Sequence, residues 1–337
     1  MRSLPSRVGG PLALTAALTV ALLATGCQDA LTEPGVGASV QTREALELLP
    51  PDAAMVGMMN LRAARESDAV QTATGGAGLG LVSPDGSAAF DRFVRQTGFD
   101  PGEDLDLVYV AMPAGGQEHR GAFVGYGRFD RERLERFLAT EAPADGRQLV
   151  ATQINGVTAY LATDEDGSRG GIALPNDQMI LAGDEATLTA MIGRLQGAGS
   201  QPSPTLQALL DRVAYPDGAW FVARDLPGLG GGRASDDGNP MNVAATRART
   251  VVLSMGFERD GVAVRTFIEP TAETPADELA DVFRGSIAAA RMGVKDEPAA
   301  LDMLDGVRVA DRDGGVDVQA FLSPAFLAEM HRSSSAH

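Results

Sequence analysis

The sequence predicts an α+β protein. It expects antiparallel sheets with helices packed on one face, in two pseudo-repeated half-domains at residues 43–215 and 216–331. Three observations predict this. Apolar runs come in pairs separated by Asn-Gly, Asp-Gly or Pro-Asn-Asp, and strands joined by so short a turn run antiparallel. Amphipathic stretches of helical period follow the pairs, and each must bury its apolar stripe against a sheet. An eleven-residue segment also recurs at an offset of 165 residues, as Pro51-Asp52-Ala53-Ala54-Met55-Val56-Gly57-Met58-Met59-Asn60-Leu61 and Pro216-Asp217-Gly218-Ala219-Trp220-Phe221-Val222-Ala223-Arg224-Asp225-Leu226. Pro, Asp, Ala and Leu match, and Asn60 stands where Asp225 stands.

The elements follow in order. A short helix from Arg43 to Leu49 is stopped by Pro50-Pro51. Each repeat segment is a strand launched from a Pro-Asp turn. Both lead into Gly-rich stretches, 75–80 and 228–232, read as loops. Helices are expected at Ala88–Thr97 and Leu206–Ala214. Leu105–Met112 pairs with Gly121–Phe129, and Asp130 caps a helix with Leu134, Phe137 and Leu138 on one face. Leu149–Leu161 is a hairpin turned at Asn155-Gly156, a dipeptide suited to positive φ. Gly171–Leu174 and Met179–Ala182 turn at Pro175-Asn176-Asp177. Asp184 then caps a helix with Leu188, Met191, Ile192 and Leu195 inward. In the second half Val251–Glu258 and Val262–Glu269 turn at Asp260-Gly261. A helix over Ala276–Met292 carries Leu279, Val282, Phe283 and Ile287 on one stripe. Val307–Ala310 and Val316–Phe321 flank Asp313-Gly314, and Ser323-Pro324 opens a last helix with Phe326, Leu327 and Met330. Residues 332–337 are a disordered tail.

The N-terminus gives an address. Arg2 and Arg7 precede an uncharged stretch from Pro11 to Gly26, which ends in Leu22-Leu23-Ala24-Thr25-Gly26-Cys27. That is a basic region, an apolar region and a small-residue cleavage site. The apolar run is short of the roughly 20 residues a spanning helix needs. The arrangement resembles a bacterial lipoprotein signal peptide over residues 1–26, with Ala24 where the family prefers Leu. The resemblance implies that Cys27 is lipidated and becomes the first mature residue. Gln28 follows it where an inner-membrane retention signal would have Asp, which implies the outer membrane. Residues 27–42 read as a flexible tether. The strand at Pro51-Asp52-Ala53-Ala54 and the helix start at Gly127-Arg128-Phe129-Asp130 resemble uncharacterised bacterial secreted proteins and lipoproteins. Their domains of unknown function open with a Pro-x-Asp-Ala strand and continue with a Phe-Asp helix start. The similarity spans most of residues 45–225 and implies a fold and a compartment, with no reaction.

Composition limits the chemistry. Cys27 is the only cysteine, so the mature chain has no disulfide and no cysteine-based zinc site. The net charge of −17 falls to about −19 once the two leader arginines are removed. That field repels nucleic acid and anionic lipid, which leaves acylation as the means of membrane attachment. His119, His331 and His337 are the only histidines, and no HExxH motif or GxSxG elbow occurs. The acidic runs at 100–106, 164–167 and 236–239 do not complete a calcium-loop pattern and read as turns. The Gly-rich run at 228–232 departs from GxGxxG at Arg233. Trp220 and Met55 read as core, and Met55, Met58 and Met59 together as core filling or the lining of an adaptable groove.

The expected function is therefore a lipid-anchored envelope protein, non-enzymatic, that binds or scaffolds. The alternatives are a hydrolase working through paired carboxylates and a small-molecule-binding lipoprotein with its ligand between the half-domains. No cofactor or metal is expected. The partners are the membrane, through the N-terminal lipid, and an envelope protein or small ligand.

Overall fold

The computed structural model describes residues 38–74, 88–113, 121–140, 149–164, 167–215, 218–224 and 247–334. The leader, Cys27, His119, His337 and the Gly-rich runs lie outside these residues. The chain order is α1 (Val40–Leu48), β1 (Met55–Asn60), α2 (Leu61–Glu66), α3 (Asp68–Thr74), α4 (Ala88–Thr97), α5 (Pro101–Asp104), β2 (Leu105–Met112), β3 (Ala122–Gly127), α6 (Arg131–Thr140), β4 (Val150–Ile154), β5 (Val157–Thr163), β6 (Arg169–Asn176), β7 (Met179–Asp184), α7 (Glu185–Leu195) and α8 (Pro204–Leu210). It continues with β8 (Gly218–Arg224), β9 (Ala248–Glu258), β10 (Gly261–Pro270), α9 (Ala276–Gly293), α10 (Pro298–Asp305), β11 (Arg308–Arg312), β12 (Gly315–Leu322) and α11 (Pro324–Ser334).

The twelve strands among the described residues form one antiparallel sheet, in the order β11-β12-β10-β9-β8-β1-β2-β3-β7-β6-β5-β4. The strands of residues 43–215 and those of residues 216–331 are therefore joined edge to edge in one sheet. β1 pairs with β8 from Met55↔Ala223 to Met59↔Ala219. The two copies of the repeated segment lie side by side, but their sequence match is out of register with the ladder. A two-fold axis normal to the sheet exchanges antiparallel neighbours and keeps each residue on its own face. An odd offset cannot do this, because side chains alternate with period two. Val56 and Val222 share a face as a pair, so the match sends Val56 to Phe221 on the opposite face. Likewise Met55 and Trp220 point to opposite sides.

Helices cover both faces, which corrects the one-sided arrangement. On the first face α1, α7 and α8 pack on Val56, Tyr109, Val124, Leu181, Trp220 and Val222. On the second face α2, α4 and α6 pack on Leu105, Tyr160, Leu174 and Ile180. Further along that second face, α3 and α9–α11 pack on Val262, Val264, Val316, Val318 and Leu322. The reason is legible in the strands. Leu107-Val108-Tyr109-Val110-Ala111-Met112 is apolar at every position, so neither side of β2 tolerates water, and a sheet buried on both sides needs two layers of cover.

Most boundaries follow local chemistry. Arg133 N donates to Asp130 Oδ1 at 3.0 Å and Thr187 N to Asp184 Oδ1 at 2.7 Å, the two expected N-caps. Asn155 (φ 47°) with Gly156 (φ 81°), and Asp313 (φ 52°) with Gly314 (φ 77°), make the two hairpin turns. Four readings shift. Ser39 Oγ accepts from Thr42 N at 3.0 Å, so the first helix begins inside the expected tether. The β9–β10 turn is Arg259-Asp260, with Gly261 already paired to Glu258. Gly261 is there for space: a Cβ would sit 2.4 Å from the Leu322 carbonyl oxygen and the Phe321 ring. The β6–β7 turn is Asp177-Gln178, since Asn176 pairs with Met179. Leu195 ends 38% exposed because it lies in the last turn of α7, beyond the sheet's cover.

Candidate functional site

Among the described residues, the helical cover of the first face stops at β8, and α8 is the last helix on it. Beyond lie the first-face side chains of β9, β10 and β12, where Ser254, Arg265 and Asp317 stand among Val252 and Phe267. Phe267 pairs with Val252 and with Asp317 across its two neighbouring strands. Two residues along, Arg265 pairs with Ser254. Arg212 and the β11–β12 turn close the sides. The result is a cleft of about 290 Å³ lined by Arg212, Val252, Ser254, Arg265, Phe267, Arg312, Asp313 and Asp317.

Each polar group is held differently. Arg265 Nη2 donates to Asp317 Oδ2 at 2.5 Å and its Nε to the same oxygen at 3.2 Å. Only 5% of the Asp317 side chain and 15% of the Arg265 side chain is exposed. The other carboxylate oxygen, Asp317 Oδ1, is buried and has no protein donor. The Arg212 guanidinium lies 4.1 Å over the Phe267 ring, an arrangement that fixes the guanidinium plane while leaving its N–H edge open. Arg312 is exposed at the end of β11. Ser254 Oγ accepts from Ala214 N at 3.1 Å, which anchors the segment carrying Arg212. Three arginines and two aspartates line the cleft, so its charged side chains sum to +1 on a chain whose net charge is −17.

The sequence pointed elsewhere. The three aspartates of the run at 100–106 are used structurally. Asp100 Oδ1 caps α5 through Gly102 N at 2.9 Å, Asp104 Oδ2 accepts from Asp100 N at 2.8 Å, and Asp106 pairs with Arg65 at 3.0 Å. Asp164 accepts from Gly167 N through its main-chain oxygen, in a turn. Residues 165–166 and 236–239 lie outside the described residues. Among the described residues no three His, Cys, Asp or Glu side chains gather closely enough to hold a metal ion. His331 sits in α11. Trp220 is 1% exposed in the largest apolar cluster, and Met58 and Met59 pack on opposite faces of the sheet. Burial pushes the hydroxyls of Tyr109, Tyr126, Tyr160 and Tyr215 above the ordinary tyrosine range, which keeps them protonated.

Arg212, Arg265, Arg312 and Asp317 were not singled out by sequence reasoning. A signal was present: Arg265 and Asp317 are opposite charges in the middle of otherwise apolar strands, Val262-Ala263-Val264-Arg265-Thr266-Phe267 and Val316-Asp317-Val318. A mid-strand charge on a buried sheet demands a partner.

No family model matches this chain, and no curated protein matches it. Among solved structures it is similar to crystal form I of TP0453, with 10% identity and a TM-score of 0.43, over 91% of this chain and 99% of that one. It is similar also to crystal form III of TP0453, with 10% identity and a TM-score of 0.46, over 86% and 97%.

Proposed function

We propose that the protein is a lipid-anchored binding protein of the bacterial envelope, attached through Cys27, with outer-membrane placement favoured by Gln28. The observation that carries the reading is the lipobox-like end of the leader, Ala24-Thr25-Gly26-Cys27. The folded part supports it in two ways. The first helix is capped at Ser39, so residues 28–38 are left to join the body to the anchor, with a reach of at most about 40 Å. None of the helices among the described residues is long and apolar enough to cross a membrane, and acylation would supply the attachment. The work of the body is binding, at the Arg-lined cleft.

The architecture also supports an internal duplication. In both halves a three-strand meander (β1–β3, β8–β10) leads through a helix to a hairpin (β6–β7, β11–β12). The second strand of that hairpin pairs with the third meander strand, and a helix follows. In this reading β4 and β5 are an added hairpin.

Growth with a radiolabelled or clickable palmitate tests the anchor. The wild-type chain takes up label and sediments with membranes, whereas Cys27→Ala is unlabelled and soluble. Equal labelling of the two chains sinks the proposal.

A further inference from the structure

We propose that the cleft between Arg212, Arg265 and Arg312 is a binding site for a small carboxylate bearing an adjacent amino or hydroxyl group, that is, an amino acid or a 2-hydroxy acid. The inference rests on the binding role proposed above and names its ligand class. Two unmet needs define the ligand. Arg212 and Arg312 have no carboxylate partner among the described residues, and a guanidinium edge is matched by the two oxygens of a carboxylate. Stacking on Phe267 at 4.1 Å holds the Arg212 plane in place before any ligand arrives, so little ordering remains to be done on binding. The second need is a donor. Asp317 Oδ2 is taken by Arg265, while Oδ1 is buried without a protein partner. Asp317 lines the cleft, but Oδ1 itself is closed to solvent, so an ammonium or hydroxyl beside the ligand carboxylate reaches it once the Asp317 carboxylate turns toward the cleft.

Stability alone does not account for the Arg265–Asp317 pair. A buried ion pair is often matched or bettered by apolar residues of similar size, and the strands around it are already apolar. A site that must read both an anion and a donor explains why a buried carboxylate, Asp317, stands beside three arginines, with Asp313 exposed at the rim. Val252 leaves one apolar wall for a side chain. The volume of about 290 Å³ is near the lower end for ligand pockets and suits a molecule of amino-acid size.

The test uses the full-length chain in detergent. Thermal unfolding is followed with each L-amino acid and its 2-hydroxy-acid counterpart, against sodium acetate and sodium chloride at equal ionic strength. At least one member should raise the midpoint by about 5 °C at a concentration near 100 Kd. Arg212→Met, which keeps an apolar cover over Phe267, and Arg312→Met, at the exposed end of β11, should unfold normally without ligand and lose that shift. Asp317→Asn should lose discrimination between the active member and acetate; where that variant does not fold, the Arg212→Met and Arg312→Met comparison decides. The proposal is overturned by a panel in which no member exceeds acetate, or by arginine variants that keep the full shift. Palmitate labelling at Cys27 is independent of every one of these outcomes, so the anchor and the ligand class stand or fall separately.

Discussion

At the scale of single residues, the most consequential contact is the one between Arg265 and Asp317. Both charges sit in strand centres, and each is tolerated because of the other. Replacing Asp317 by Ala leaves Arg265 as an uncompensated charge in a nearly buried place. Such a loss costs about 3–5 kcal/mol, and chemical denaturation of the variant should show a midpoint lowered accordingly. A change below about 1 kcal/mol would mean that water already satisfies Arg265. Residue identity alone marked these positions as odd. It did not join them, because Arg265 and Asp317 are 52 positions apart and meet only through the β10–β12 register. Arg194 is a parallel case. Its Nη1 donates to Leu48 O at 2.9 Å, 146 positions away, and satisfies an end carbonyl of α1. Burial lowers its pKa.

At the scale of elements, caps and turns carry most of the local information. Asp184 accepts from Thr187 N at 2.7 Å and so sets the start of α7. Asp184→Ala should cost about 1 kcal/mol, measured by denaturant titration with the m-value unchanged. The β9–β10 turn offers a pH-dependent case. Glu258 ends β9, its Oε1 is buried without a partner, and burial, with Asp260 adding repulsion, raises its pKa above 4.5. The folded state therefore holds this proton more tightly than the unfolded chain does. Stability falls as pH rises from the unfolded value through the folded one, and stays reduced above it. Glu258→Gln should remove that loss. The variant gains stability relative to wild type at pH 7 and loses the advantage at pH 4, a comparison made by thermal melts at both values. The opposite ordering would mean that Glu258 is stabilised as a carboxylate. Elements whose limits are set by side chains within four residues, such as the Asp130 and Asp184 caps and the Asn155-Gly156 and Asp313-Gly314 turns, were readable from the sequence. The short helices α2 and α3 were not. They have only one or two turns each, too few for a period to show, and they are held by Leu61, Ala64, Ala69 and Val70 packing on the sheet.

At the scale of the molecule, the β1–β8 ladder joins the strands of the first and second parts of the chain in one sheet. Trp220 lies in that seam, paired with Met58, 1% exposed, and is the only tryptophan. Its emission should be blue-shifted in the native state. On heating it should move to the red at the same midpoint at which far-ultraviolet dichroism is lost, because neither half can open without breaking the shared sheet. Midpoints separated by several degrees would show that the halves unfold independently. By itself the sequence determined the strands, most helices, the caps and two turns, since each depends on contacts within a few residues. It supplied the Cys27 address as an expectation in the same local way. Only the tertiary structure decided that β1 and β8 are neighbours, that helices lie on both faces, and that Arg212, Arg265, Arg312 and Asp317 surround one cleft. The reason is physical. Pairing partners are chosen by the burial of whole faces between segments as far apart as Met55 and Ala223, 168 positions, and no local signal carries that choice.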